Sequence, residues 1–257
     1  MNWKVAGDCA IGTSHQNQGI PCQDYGDYLI IKDEIIVGAV ADGAGSAKHS
    51  NVGSKLVVET VLKCFSDINE SPQKEAFSQP LSKEEAEKVF AKIMNQVITE
   101  LQKQADEEDY SVNDLACTLL VFVATPDWIA AMQIGDGFIV IRSQESEYKL
   151  LFKPDKGEFI NETTFITSTN AVKDMQVEVI SEKQEFICVS TDGLEKVAIR
   201  LSDWKPFSPF FKPLEEYLHE SVNPKEDKYI TEFLNSERLN SRTDDDKTLL
   251  LCLFDRE

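Results

Sequence analysis

Hydrophobic spacing divides the chain into strands and helices. Trp3 to Ile11 and Tyr28 to Ile31 read as short strands, and Gly12 to Asp24 between them is polar and turn-rich. Asp33-Glu34 then forms a hairpin into Ile35 to Ala41, seven apolar or small residues with the length and β-branched content of a buried strand. That run ends on Asp42-Gly43. After Ser46 the period becomes helical: Val52, Leu56, Val57, Val61, Leu62 and Phe65 share a face, with Ser50 or Asn51 as N-cap. Residues 66 to 81 are polar with two prolines and read as a loop. Ser82-Lys-Glu-Glu85 is a capping box, opening a long helix with Val89, Phe90, Ile93, Met94, Val97, Ile98 and Leu101 on one face. Asp106 to Asp109 is its solvated end.

A β-rich block follows. Cys117 to Ala124, Trp128 to Ile134 and Phe138 to Arg142 read as a meander, with turns at Pro126-Asp127 and Gly135-Asp136-Gly137. Residues 143 to 174 are irregular, with a short strand near Phe165. Val177 to Ile180 is another short strand. Phe186 to Thr191 is buried and ends on Asp192-Gly193. Residues 204 to 213, aromatic and proline-rich, read as a loop pinned to the core by its rings, with a partner-docking patch as the alternative. Asn223-Pro224 starts a further helix, and Leu249 to Phe254 is the last strand. No repeat or linker divides the 257 residues, so a single domain over 1–257 is expected. Antiparallel strand runs with a few long helices predict an α+β fold of packed sheets with helices outside.

Composition narrows the function classes. The chain is 42% hydrophobic and 28% charged, with a net charge of −19. No Lys/Arg cluster exists to hold a nucleic-acid backbone, and no arginine precedes Arg142. No apolar run is long enough to cross a bilayer, and residues 1–8 lack signal-peptide character. The six cysteines are scattered, with several inside apolar runs, which fits reduced thiols in a cytoplasmic protein. Cys22 neighbours Gln23-Asp24, so its oxidation would disturb that segment.

An apolar strand running into Asp-Gly occurs three times, at Asp42-Gly43, Asp136-Gly137 and Asp192-Gly193. Asp24 precedes one strand and Asp244-Asp245-Asp246 precedes the last. A tight turn explains any one of these, and Asp136 suits a hairpin as well as it suits chemistry. If the strand ends share an edge, four or five carboxylates converge and repel one another unless a cation joins them. Oxygen ligands with few histidines select Mn²⁺ or Mg²⁺ over zinc. Several carboxylates and carbonyls can hold two ions about 3.5–4 Å apart, which activates a bridging water without a protein nucleophile.

Asp42-Gly-Ala-Gly-Ser46, Ile134-Gly-Asp136-Gly137, Ser190-Thr-Asp192-Gly-Leu194 and Asp245-Asp-Lys-Thr248 resemble, in order and spacing, the motifs of the PP2C (PPM) metal-dependent serine/threonine phosphatases. Pro21-Cys-Gln23-Asp24 and Arg242 to Thr248 are similar to a divergent bacterial branch. The resemblance spans the whole chain. It implies a β-sandwich of two antiparallel sheets flanked by helices on both sides. It implies hydrolysis of phosphoserine and phosphothreonine in proteins by a metal-bridged hydroxide, with no phosphoenzyme. Asp42 would bridge two Mn²⁺ or Mg²⁺ ions, with the Gly43 carbonyl on the second. Asp192 and Asp245 would ligate the first, Asp24 would act through water, and Asp136 with Asp192 would form a weaker third site.

Two departures stand out. Many relatives carry an arginine shortly before the Asp24 position to grip the phosphate; here His15 or Lys48 is the available substitute. Many place a histidine after the first Asp-Gly as general acid; here it is Ala44. These departures leave a second reading, a catalytically weak PP2C-like regulatory or binding module. A third takes the Asp-Gly pairs as turns only.

Overall fold

The computed structural model describes residues 2–32, 34–70, 77, 79–143, 146–153 and 163–255. Its strands are β1 (Asn2–Ala10), β2 (Tyr25–Ile31), β3 (Ile35–Ala41), β4 (Leu119–Thr125), β5 (Trp128–Ile134), β6 (Phe138–Ser143), β7 (Lys149–Leu150), β8 (Gln176–Ile180), β9 (Gln184–Ser190), β10 (Ile199–Arg200), β11 (Lys205–Pro206) and β12 (Lys247–Asp255). The helices are α1 (Thr13–Gln18), α2 (Ser50–Glu70), α3 (Lys83–Glu108), α4 (Ala171–Asp174), α5 (Glu195–Ala198), α6 (Ser208–Glu220), α7 (Tyr229–Leu234) and α8 (Glu237–Asn240). Among the described residues two five-stranded antiparallel sheets form, ordered β1-β12-β9-β6-β7 and β2-β3-β4-β5-β8, beside a β10-β11 ribbon.

Strand alternation builds three apolar layers. Ile36 and Val40 of β3, Leu120 and Phe122 of β4, Ile187 and Val189 of β9, and Leu250 and Cys252 of β12 meet between the sheets. The opposite face of β3 and β4, with Val37, Ala39, Val121 and Val123, packs under α2 and α3. The opposite face of β9 and β12, with Phe186, Cys188, Leu249 and Leu251, packs under α6 and α7. Strands covered on both faces read as continuous apolar runs. The expected sandwich with helices on both sides is the fold observed. At α3, the Glu85 N–H donates to Ser82 Oγ and the Ser82 N–H donates to Glu85 Oε2, completing the capping box.

Several expected boundaries differ. The Gly12–Asp24 segment contains α1. Helix α2 starts at Ser50, so His49 rather than Ser50 or Asn51 holds the cap position, and it runs to Glu70 instead of ending near Phe65. Asp33 lies outside the described residues, as do 144–145 and 154–162 of the segment read as irregular; no strand forms at Phe165 among those described. The aromatic stretch read as a loop contains β11 and the first two turns of α6, which tolerates Pro209 in its first turn and buries Phe211. Asn223-Pro224 opens a turn, and the helix begins only at Tyr229.

One correction concerns the site. β5 and β6 do not pair. β5 lies between β4 and β8, whereas β6 crosses to the other sheet and pairs with β9 and β7. Gly135-Asp136-Gly137 is therefore a crossover between sheets and not a hairpin turn.

Candidate metal centre at one end of the sandwich

Strand pairing places the Asp-Gly motifs together. Tyr25 pairs with Ala41, so Asp24 and Asp42 lie side by side, one residue beyond the pair. Ser190 pairs with both Leu249 and Phe138. Asp192, Asp136 and the 244–246 segment thus emerge at the same end. β4 begins where β5 ends, with Leu119 opposite Ile134. The two sheets contribute aspartates from five segments to one edge.

The carboxylates act on each other electrostatically. Burial, followed by the negative charges of Asp24, Asp192 and Asp245, holds Asp42 well above the ordinary carboxyl range. Burial raises Asp24 to about 7, against hydrogen bonds from Thr191 and Thr248 that favour its charged form. Burial, then Asp136 and Asp245, raises Asp192 to about 7. Asp245 is also raised, by burial first. Asp24 is 5% exposed, whereas Asp42 and Asp192 keep an edge open to solvent. Thr191 Oγ1 and Thr248 Oγ1 donate to Asp24 Oδ2 at 2.7 and 3.0 Å, which leaves the buried Oδ1 without a hydroxyl or N–H donor among the described residues. The Asp42 backbone is fixed by its N–H to Thr118 Oγ1 (3.0 Å) and its carbonyl to the Thr118 N–H (2.8 Å). The Gly43 N–H donates to the Gln23 carbonyl at 3.1 Å.

Asp246 takes a different part from its neighbour. It is 3% exposed and accepts the Gly12 N–H on Oδ1 and the Gln23 N–H on Oδ2, both at 2.6 Å. His15 Nδ1 lies 3.0 Å from the same Oδ2. Asp246 thus ties the segment before Asp24 to the segment holding Asp245. Two glycines permit this approach: a Cβ on Gly12 would lie 2.3 Å from the Asp244 carbonyl oxygen, and one on Gly193 would lie 1.9 Å from that of Asp246. Lys247 Nζ, in a fully buried residue, donates to Asn240 Oδ1 (3.0 Å) and the Asp245 carbonyl (3.3 Å). Its pKa is lowered by burial against the pull of the nearby aspartates.

The site residues named from sequence divide accordingly. Asp24, Asp42, Asp136, Asp192 and Asp245 are brought together, and Gly43 sits beside them. Asp136 Oδ2 accepts the Thr163 hydroxyl at 2.8 Å. His15 adjoins the site through Asp246, while Lys48 is exposed with no ion pair among the described residues. Ala44 is buried, its N–H bonded to the Ala116 carbonyl. Cys22 is half-buried, and burial pushes its thiol up, so it is a poor nucleophile. The sequence names Asp246 only as part of the Asp244–Asp246 run and gives no role to Thr191, Thr248 or Lys247. All four lie inside the quoted motifs, and polar residues flanking a cluster of buried acids are its natural donors and counter-charges.

Among the described residues no three His, Cys, Asp or Glu side chains form by themselves a group that would hold a metal ion. The donor set nevertheless fits Mn²⁺ or Mg²⁺. These ions take few side chains per ion and complete their shells with carbonyls and water. The Asp24 Oδ1 that no hydroxyl or N–H reaches and the mutual repulsion of the aspartates both call for positive charge, and Lys247 spends its protons on Asn240 and a backbone carbonyl.

The chain resembles known phosphatases over most of its length. The sequence profile of the family described as Protein phosphatase 2C matches residues 11–235. The chain is 31% identical over 264 residues to Serine/threonine-protein phosphatase 3 of Escherichia coli (strain K12), covering 99% of each. The serine/threonine phosphatase of S. agalactiae shares the fold with a TM-score of 0.66 at 17% identity, over 98% of this chain and 100% of that one. A serine/threonine phosphatase of Staphylococcus aureus does so with a TM-score of 0.62 at 12% identity, over 99% and 96%. With its profile match, its full-length relative and its two-sheet architecture, the chain belongs to the protein phosphatase 2C family.

Proposed function

We propose that this chain is a Mn²⁺- or Mg²⁺-dependent phosphatase that hydrolyses phosphoserine and phosphothreonine in cytoplasmic proteins, built as one domain over residues 1–257. The observation that carries the reading is the convergence of Asp24, Asp42, Asp136, Asp192 and Asp245 at one edge, with a buried Asp24 oxygen left without a hydroxyl or N–H donor among the described residues. Asp42, with the Gly43 carbonyl, would hold two ions. Asp192 and Asp245 would serve the first, Asp24 would act through water, and Asp136 with Asp192 would form a weaker third site. The bound ions would supply charge neutralisation for phosphoryl oxygens and a water of lowered pKa as the attacking group, so no side chain is phosphorylated. The chain's own work is positional. Thr118 fixes Asp42, Thr191 and Thr248 orient Asp24, and Asp246 joins the two arms of the site. His15 and Lys48 are the groups assigned to the substrate phosphate.

A second reading, a weakly active regulatory or binding module, is favoured by Ala44 and by the lack of any arginine before Arg142. Phosphate release from 4-nitrophenyl phosphate and a phosphothreonine peptide, with and without Mn²⁺, separates the two. Release that requires the metal is expected. Release that survives full chelation would refute the metal assignment, and inactivity on several phosphopeptides would favour the module.

A further inference from the structure

We infer that Gln133 is the positioning residue of the Asp136 crossover: its side-chain amide holds the Gly135 and Gly137 carbonyls and so sets the carboxylate between them against Asp192. The inference rests on the phosphatase reading above, in which Asp136 and Asp192 share a weaker third ion. Gln133 is the penultimate residue of β5 and is fully buried. Along β5, Ile129 and Ala131 point into the layer between the sheets, while Trp128, Ala130, Met132 and Ile134 face the helices. Alternation puts Gln133 on the side of Ile129 and Ala131. An amide in an apolar layer is costly unless it is hydrogen-bonded, so its partners are the point of interest.

Gln133 Nε2 donates to the Gly135 carbonyl at 2.9 Å and to the Gly137 carbonyl at 3.1 Å. Both partners are acceptors, which fixes the amide with its NH₂ group toward the crossover. Oε1 is buried and has no hydrogen bond among the described residues. A methionine would fill the same place without stranding an oxygen, so what the glutamine adds is its two bonds. They tie the peptide entering Asp136 and the peptide leaving Gly137 to one rigid group. The backbone of Asp136 and of the permissive Gly137 cannot swing while both bonds hold.

The crossover is wedged between two strand ends of the site. Gly135 has φ +103°, and a Cβ there would lie 2.4 Å from Thr118 Cγ2. Thr118 is the residue that fixes the Asp42 backbone. A Cβ on Gly137 would lie 2.7 Å from the Ser190 carbonyl oxygen, just before Thr191-Asp192. Asp136 therefore stands between the ends that carry Asp42 and Asp192, close enough for its charge to act on Asp192. Thr163 holds one Asp136 oxygen from outside. Gln133 holds the backbone from inside, and its contact with the site runs through Asp136 alone.

Titration of Mn²⁺ into the chelator-stripped full chain, followed by the paramagnetic resonance of free Mn²⁺, separates tight from weak ions. Gln133→Met keeps the length of the side chain and removes both donors. Gln133→Asn keeps the amide but draws it back by one methylene, out of reach. Either variant should weaken the weakest Mn²⁺ site by about 10–100-fold, the usual cost of losing a group that orients a metal ligand, and hold the tighter ions within about twofold. Asp136→Asn should do the same, and Gln133→Met added to it should change Mn²⁺ binding by less than about twofold more, since the two act as one unit. A purely structural role would lower Tm without this split. Wild-type affinity at the weak site in either variant, equal weakening of all ions, or failure of both variants to fold would overturn the inference and leave the phosphatase reading intact. So would a wild type that binds two tight ions and no weaker one. A wild type that binds no Mn²⁺ would overturn that reading and this inference together.

Discussion

The Asp246 carboxylate receives the Gln23 N–H at 2.6 Å, across 223 residues of chain. This bond and its partner from Gly12 join the N-terminal loop to the start of β12, and so set Asp24 against Asp245. Asp246→Ala should be costly, because it leaves two backbone N–H groups unmatched in a buried place. About 1–3 kcal/mol for each is the usual scale, and thermal or urea unfolding measures it. Mn²⁺ affinity should fall as well, since the two arms lose their link. An unchanged Tm would show that the clamp contributes nothing.

Asp42→Asn and Asp192→Asn should abolish phosphate release while the fold persists, as judged by circular dichroism. In the metal-free protein each should also raise Tm. Asp42 is held far above its ordinary pKa by burial and three neighbouring aspartates, so removing its charge relieves repulsion. Full activity in both variants would contradict the assignment of these residues.

The same repulsion predicts a pH dependence for the metal-free protein. Asp24 and Asp192 stand at about 7 in the folded state against an ordinary value of 3.8. Between those values the folded protein holds protons that the unfolded chain has released, so this contribution to stability falls as pH rises from about 4 to about 7. A shift of about three units corresponds to at most ~4 kcal/mol per group, and a chain of this size loses roughly 2–4 °C of Tm per kcal/mol. In EDTA, the Tm at pH 7.5 should lie at least about 5 °C below that at pH 5, and Mn²⁺ should recover it at pH 7.5. A metal-free Tm that rises across this range would contradict the electrostatic account.

Arg142 provides a contrast at the far end of β6. Its Nε donates to both Glu215 oxygens, at 2.9 and 3.0 Å, and Nη2 donates to Glu185 at 2.8 Å. Tyr148 donates to Glu215 as well. Glu215 is 6% exposed on α6, so Arg142→Ala leaves a buried carboxylate short of its cation, a loss on the order of 3–5 kcal/mol. Denaturant unfolding should show it. Mn²⁺ binding below the unfolding transition should be unchanged, and a parallel loss would mean that the two ends of the sandwich are coupled.

Much of the architecture was legible because both faces of most strands are covered, which writes β3, β4, β9 and β12 as apolar runs. The pairing of β5 and β6 was not. Trp128–Ile134 and Phe138–Ser143 carry the same period whether they share a sheet or face each other across the core. That ambiguity made Asp136 look like a hairpin residue, when it lies at a crossover. Helix α1 is too short for a periodic signal, and the prolines of α6, Pro209 in its first turn and Pro213 inside it, hid that helix. Within Asp244-Asp245-Asp246, spacing could nominate Asp245 but could not reveal that Asp246 turns inward to hold Gly12 and Gln23. That distinction depends on contacts from the opposite end of the chain.

The central claim is that the edge carboxylates form a two-ion site built around Asp42. Calorimetric titration of Mn²⁺ into the chelator-stripped protein tests it most directly. The account predicts about two ions bound per chain, the two-metal stoichiometry of such hydrolases, and loss of that binding in Asp42→Asn. No binding by the wild type, or binding that Asp42→Asn leaves unchanged, would contradict it.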